Sequence, residues 1–211
     1  MKHWILATAM FATTVSPPAA FGAVIFDSFG PGDTFSAAGP YGDDGSGLFQ
    51  AFRFFATGSG TLSQITVALG RTTAAQNTTV FNLYNGASAV ALGALIESFT
   101  ITNSVTPDSS SPFTGAVVTF NSVLLPTLTS GDAYWLSFTE PEAPNGSSSL
   151  WFMNSIGINI TRLTGALPAH TNSAPAFRVN ADAAVPEPAT GMLVVTGAIL
   201  VALRSRRNRA V

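Results

Sequence analysis

The sequence predicts an all-β protein, folded as an antiparallel two-sheet β-sandwich with a jelly-roll-like topology. Three observations lead there. Short β-type runs recur through the middle of the chain, turn-forming clusters separate them, and no run carries the 3.6-residue apolar period of an amphipathic helix. Around ten strands at such spacing suit two packed sheets.

Taken in order, the runs are 24–29, 47–55, 61–69, 78–84, 95–101, 116–121, 133–138, 148–153, 158–163 and 176–179. The third is the clearest. Ile65, Val67 and Leu69 alternate with Gln64, Thr66 and Ala68, the period-2 mark of a half-buried strand. Between the runs lie Phe29-Gly-Pro-Gly-Asp33, Tyr41-Gly-Asp-Asp-Gly45, Asn85-Gly86, Ser130-Gly-Asp132 and Asn145-Gly146, all turn chemistry. No internal repeat is present.

Only 9% of the 211 residues are charged, against roughly 25% in ordinary soluble domains. Surface polarity must come from Thr, Ser and Asn, which suit solvent-facing strand positions. Between residues 24 and 185 there are four basic residues, Arg53, Arg71, Arg162 and Arg178, against ten carboxylates, a net of −6. An acidic, Lys-free body cannot neutralise phosphates, so nucleic acid is excluded as a partner. With no cysteine, disulfides, thiolate catalysis, Cys-ligated zinc and iron–sulfur clusters are excluded as well. Core burial alone must hold the fold, and ~160 residues suffice for it.

The ends read differently from the body. Lys2 precedes an apolar stretch of about 12 residues, then Ser16, Pro17 and Pro18, with Ala20 and Gly22 at spacings that suit a signal peptidase. Residues 1–22 are therefore expected to be a secretory signal peptide handled by the Sec machinery, 23–180 the exported domain, and 181–185 an Ala-rich linker. Residues 189–203 carry no charge; as a helix they would extend ~22 Å at 1.5 Å per residue. That is short of a ~30 Å hydrocarbon core, so such a helix spans only with snorkelling flanks and local thinning. Arg204, Arg206, Arg207 and Arg209 would stay cytoplasmic, which puts the domain on the exported side. Pro186 and Pro188 around Glu187 enforce an extended stretch just outside the membrane, able to enter an enzyme's groove.

Val185-Pro186-Glu187-Pro188, the short apolar segment and the basic tail, in that order, resemble the PEP-CTERM family of bacterial sorting signals across 186–211. The resemblance implies recognition of Pro186, Glu187 and Pro188 by an exosortase, a membrane transpeptidase that cuts near the motif and removes the helix. The body is similar to the choice-of-anchor domains, most of all type R. The residues that carry this are Val24-Ile-Phe-Asp-Ser-Phe-Gly-Pro-Gly-Asp33, Gly58-Ser-Gly-Thr-Leu-Ser-Gln-Ile65, Leu95-Ile-Glu-Ser-Phe99, Leu128-Thr-Ser-Gly-Asp-Ala-Tyr-Trp-Leu136 and Ala176-Phe-Arg-Val-Asn180. That resemblance implies surface association and a β-sandwich, with no catalytic or binding residues to carry over.

Site chemistry is sparse. His170, the sole histidine of the exported body, is expected in a solvated loop, and no Gly-x-Ser-x-Gly elbow accompanies it. Glu140 and Glu142 share one Pro-rich stretch, where a solvated turn is expected rather than the facing carboxylates of a glycosidase. Asp27, Asp33, Asp43 and Asp44 lie in early Gly-rich loops; Asp43 and Asp44 are the candidate ligands for a structural calcium, with Asx-turns as the plain alternative. Trp135, Trp151, Tyr41 and Tyr84 are the candidate sugar-stacking aromatics, though strand placement makes core packing the expected fate of both tryptophans. Asn77, Asn145 and Asn159 fit glycosylation sequons by chance.

The leading expectation is a non-enzymatic exported protein of the cell surface or extracellular matrix, associated with exopolysaccharide or biofilm and needing no cofactor. The alternative is a carbohydrate-binding or adhesive module, calcium-stabilised; a secreted hydrolase ranks third.

Overall fold

The computed structural model describes residues 22–42, 50–72, 78–102, 105, 114–140, 149–164 and 167–182, with backbone alone for 167–170. The signal segment, Asp43, Asp44, Glu142, Asn77, Asn145 and the tail from 183 onward lie outside the described residues. Among the described residues there are thirteen strands and no helix.

One sheet holds β1 (Ala23–Asp27), β2 (Phe35–Gly42), β4 (Gly60–Arg71), β7 (Ala116–Asn121), β8 (Thr127–Leu128), β10 (Ser149–Asn154) and β13 (Phe177–Asp182). The other runs β12-β11-β3-β9-β5-β6, from β3 (Gln50–Phe55), β5 (Thr78–Asn85), β6 (Leu95–Thr102), β9 (Ala133–Thr139), β11 (Asn159–Thr164) and β12 (Leu167–Ser173). The strand pairings are antiparallel.

β4 is the hub of the first sheet. Val67 pairs with both Phe177 and Val118, and Leu69 with both Trp151 and Ala116. A strand has two edges, so β13 and then β10 follow each other along one of them, and β8 and β7 along the other. β1 lies outside β13, and β2 outside β10.

The two sheets close over an aromatic core. Trp151 sits at its centre, fully buried, with ring centroids 5.0 Å from Phe81, 5.3 Å from Phe52 and 5.6 Å from Phe177. Its indole N–H donates to the Ala176 carbonyl at 3.1 Å, which removes the cost of burying a polar group. Smaller clusters cover the outer faces: Phe29, Ala68, Phe152 and Ala176 on one sheet, Ala51, Trp135 and Leu163 on the other. These explain why β9 is buried at successive positions instead of alternating.

Each expected run contains a strand. β2, β8 and β12 are additional, and β12 places His170 on a strand paired with Arg162, not in a loop. β2 and β12 are edge strands, each containing a proline, Pro40 and Pro168. An edge tolerates the missing N–H, which is why proline there did not mark a loop. β13 continues through Ala181 and Asp182, the first two residues of the stretch read as a linker. The expected turn after Phe29 is closed by a Gly30–Thr34 bridge, with Gly32 and Asp33 at φ 68° and 60°.

Candidate functional site

A two-sheet sandwich has a lateral seam along each side. On one side β7 meets β6 and β5. Phe120 packs against Phe99 at 4.7 Å and Phe81 at 5.4 Å, and the buried Glu97 reaches the loop after β7. Its carboxylate accepts hydrogen bonds from Ser122 Oγ (2.6 Å), Val123 N (2.6 Å) and Leu124 N (3.1 Å). This seam is closed.

The other seam runs between β1–β2 and β12–β11–β3. Its β2 half is tied by the Tyr41 hydroxyl, which donates to the Ser173 carbonyl at 2.6 Å. The Arg162 guanidinium lies 4.6 Å over the Tyr41 ring and donates to Gln50 Oε1 at 3.0 Å. Burial pushes the Tyr41 phenol above its ordinary pKa, with Arg162 opposing; burial likewise lowers Arg162, with Tyr41 opposing.

The β1 half is open. The β11–β3 ladder runs from Thr164–Gln50 only as far as Arg162–Phe52. Beyond it, residues 53–55 keep their pairing with β9, and 159–161 theirs with β12. The two strands part, and a cleft of about 530 Å³ lies between them, walled by Val24, Phe26 and Asp27 of β1. Phe26 packs on Phe177 at 4.6 Å and Phe54 at 5.1 Å, giving the cleft an apolar wall. Val24 and Phe55 are half exposed, at 50% and 54%. Asn159, Thr161 and Thr171 supply an amide and two hydroxyls from the opposite side.

The charges along the cleft are already engaged. Arg53 lies 4.9 Å over the Phe55 ring and donates Nε and Nη2 to the Gly86 carbonyl at 3.0 and 2.9 Å. Gly86 itself lies tight against β9, where a Cβ would meet the Ala133 backbone at 2.6 Å. Asp27 Oδ2 pairs with Arg178 Nε at 2.8 Å, and Asp33 Oδ1 with Arg178 Nη2 at 2.6 Å. Burial pulls the Arg178 guanidinium down, but hydrogen bonds and charge from Asp33 and Asp27 outweigh it and raise its pKa. Two of the four early aspartates considered for calcium are thus held by an arginine.

Aromatic surface beside hydroxyl and amide groups can stack on the apolar face of a sugar ring and hydrogen-bond its rim. None of the sequence-predicted aromatics lines the cleft. Trp135 and Trp151 are fully buried, Tyr41 is buried, and Tyr84 is half-buried over the Trp135 cluster. Glu140 is also not in a solvated turn. It is 1% exposed, and its Oε1 accepts from the Ser149 amide at 2.7 Å. Asn159, noticed in the sequence only as a chance sequon, opens β11 and lines the cleft. Phe55 carried a readable signal: Phe52 and Phe54 share one strand parity, which leaves Arg53 and Phe55 on the other.

The fold and site define an all-β sandwich with one closed and one open seam. No protein-family model matches this chain, and no curated protein matches it.

Proposed function

We propose that this chain is an exported, exosortase-processed protein of the cell surface or extracellular matrix, associated with exopolysaccharide and non-enzymatic. The observation that carries the reading is the order of parts after residue 185: Pro186-Glu187-Pro188, an uncharged 189–203, then Arg204, Arg206, Arg207 and Arg209. A β-sandwich ending in a strand whose last residue, Asp182, is exposed is consistent with a tail that starts outside the fold. The inward-turned, amide-bound Glu140 argues against the paired-carboxylate hydrolase. The sandwich is read as jelly-roll-like, since successive strands mostly alternate between sheets; β1–β2, β5–β6, β7–β8 and β11–β12 stay within one.

Mass spectrometry of the surface fraction tests the sorting. A mature C-terminus near 186–188 is expected. Intact peptides containing residues 204–209 in the processed protein would overturn it.

The cleft favours a second reading, a glycan-binding or adhesive module in which Phe55 stacks on a sugar and Asn159 and Thr161 bond its hydroxyls. A glycan array tests this, with Phe55→Ala expected to abolish any signal. Repeating it with chelator separates the calcium-stabilised form, for which Asp43 and Asp44 are the proposed ligands.

A further inference from the structure

Close to the end of the sandwich from which β13 leaves, the β7–β8 edge carries an apolar loop that bulges out beside residues 61–64 of β4. Val123, Leu124 and Leu125 are consecutive and exposed at 83%, 67% and 53%. Three adjacent exposed aliphatics on a charge-free loop are a feature that a lone exposed leucine is not. The loop is also built. Glu97 fixes the Val123 and Leu124 amides, Ser122 Oγ accepts from Leu125 N at 2.9 Å, and Leu125 is held at φ 50°. A branched residue in the left-handed region is uncommon and needs such surroundings to persist.

Its position is set by the β4 ladder. Thr61 pairs with Asp182 on one edge and with Thr127 on the other. Two inter-strand steps, ~10 Å, therefore separate the exit of the chain from the segment just after the apolar loop. From Asp182 to Ala189, where the uncharged segment begins, there are seven residue steps, which reach at most ~25 Å when extended. A tail seated in a bilayer keeps this end of the domain within that distance of the lipid, at a high effective concentration.

We propose that loop 123–125 seats in the interface of the bilayer that holds the tail, fixing this edge of the sandwich against the membrane and keeping residues 183–188 near its surface. The proposal rests on the tail reading given above. Asp132 and Asp182, both exposed, are acidic, so no basic charge of theirs draws the loop to anionic lipid, and salt should not release an apolar contact.

The chain has no cysteine, so single-cysteine variants of the full-length protein can carry one environment-sensitive fluorophore each. Leu124→Cys and, at the far end of β6, Thr102→Cys are labelled and reconstituted into phosphatidylethanolamine/phosphatidylglycerol vesicles. The Leu124 probe is expected to shift to the blue and to be quenched by nitroxide lipids, with or without high salt, while the Thr102 probe matches its value in water. A chain that floats with the vesicles but leaves the Leu124 probe in water overturns this inference alone. A chain that does not float overturns the tail reading, and this inference with it.

Discussion

Along the β6–β7 side of the sandwich, Phe120, Phe99 and Phe81 fill the gap between the sheets, and Glu97 crosses it to hold the loop of the opposite sheet. Along the β1–β11 side the materials are similar, with Phe26, Phe54 and several charges, yet a cleft remains. The difference lies in where the polar groups find partners. Glu97 belongs to one sheet and its donors follow the other. Asp27 is satisfied by Arg178 of its own sheet, and Arg53 by Gly86 at the end of its own sheet's β5. The closed seam is crossed by a buried carboxylate, whereas along the open one the charged side chains are satisfied within their own sheet. The link across the open one, from Thr57 N and Oγ1 to the Ile25 carbonyl at 2.8 Å each, comes from the turn after β3.

Substitutions can break that contrast. The largest effect is expected from Glu97→Ala, which strands three donors at the closed seam and should cost about 3 kcal/mol. Urea unfolding measures it, and hydrogen exchange should show lost protection at the Val123 and Leu124 amides. An unchanged unfolding midpoint would refute the role given to Glu97. Phe120→Ala should follow at about 2 kcal/mol, whereas Phe55→Ala at the open seam should change stability by no more than about 0.5 kcal/mol. Equal losses in the two thermal midpoints would erase the distinction between the seams.

Tyr41→Phe removes the tie that closes the β2 half of the open seam, at about 1 kcal/mol. It also has a pH signature. Burial keeps the folded phenol protonated above its ordinary range, so the unfolded chain loses its proton first as pH passes about 10. Stability supplied by the neutral phenol is therefore complete below that pH and falls as pH rises further. The wild-type protein should show this alkaline decline, and Tyr41→Phe should flatten it in denaturation series from pH 8 to 11. The smallest change, within about 0.5 kcal/mol, is expected for Asn159→Ala and Thr161→Ala. Loss of glycan binding without loss of stability would mark those side chains as held for a ligand.

Local chemistry made much of this readable. Short β-type runs gave strands such as β4 and β5, and the placement of Trp135 and Trp151 within runs matched their burial. The alternation in β4 points to a half-buried strand, yet Thr66 and Ala68 are buried as well, because Ala68 packs with Phe152 and Ala176 on the outer face. What escaped was long-range. Pro40 and Pro168 concealed edge strands, because a sequence does not say which strand is outermost. Glu140 lay beside Pro141 and read as surface; its amide partner, Ser149, is on another strand. The cleft depends on the point where the β11–β3 ladder stops, a matter of register between segments about a hundred residues apart that no single run reveals. Arg178, Asp27 and Asp33 likewise meet across nearly the whole domain.

β13 has a mechanical consequence. It is hydrogen-bonded along both edges, to β1 through residues 178–181 and to β4 through 177–182, and the chain continues from its end. A pull on the C-terminal side acts along the strand axis, so it loads both ladders in shear and all at once, not pair by pair as in peeling. Machinery that tugs this protein by its tail meets the resistance of two neighbouring strands before the sandwich yields.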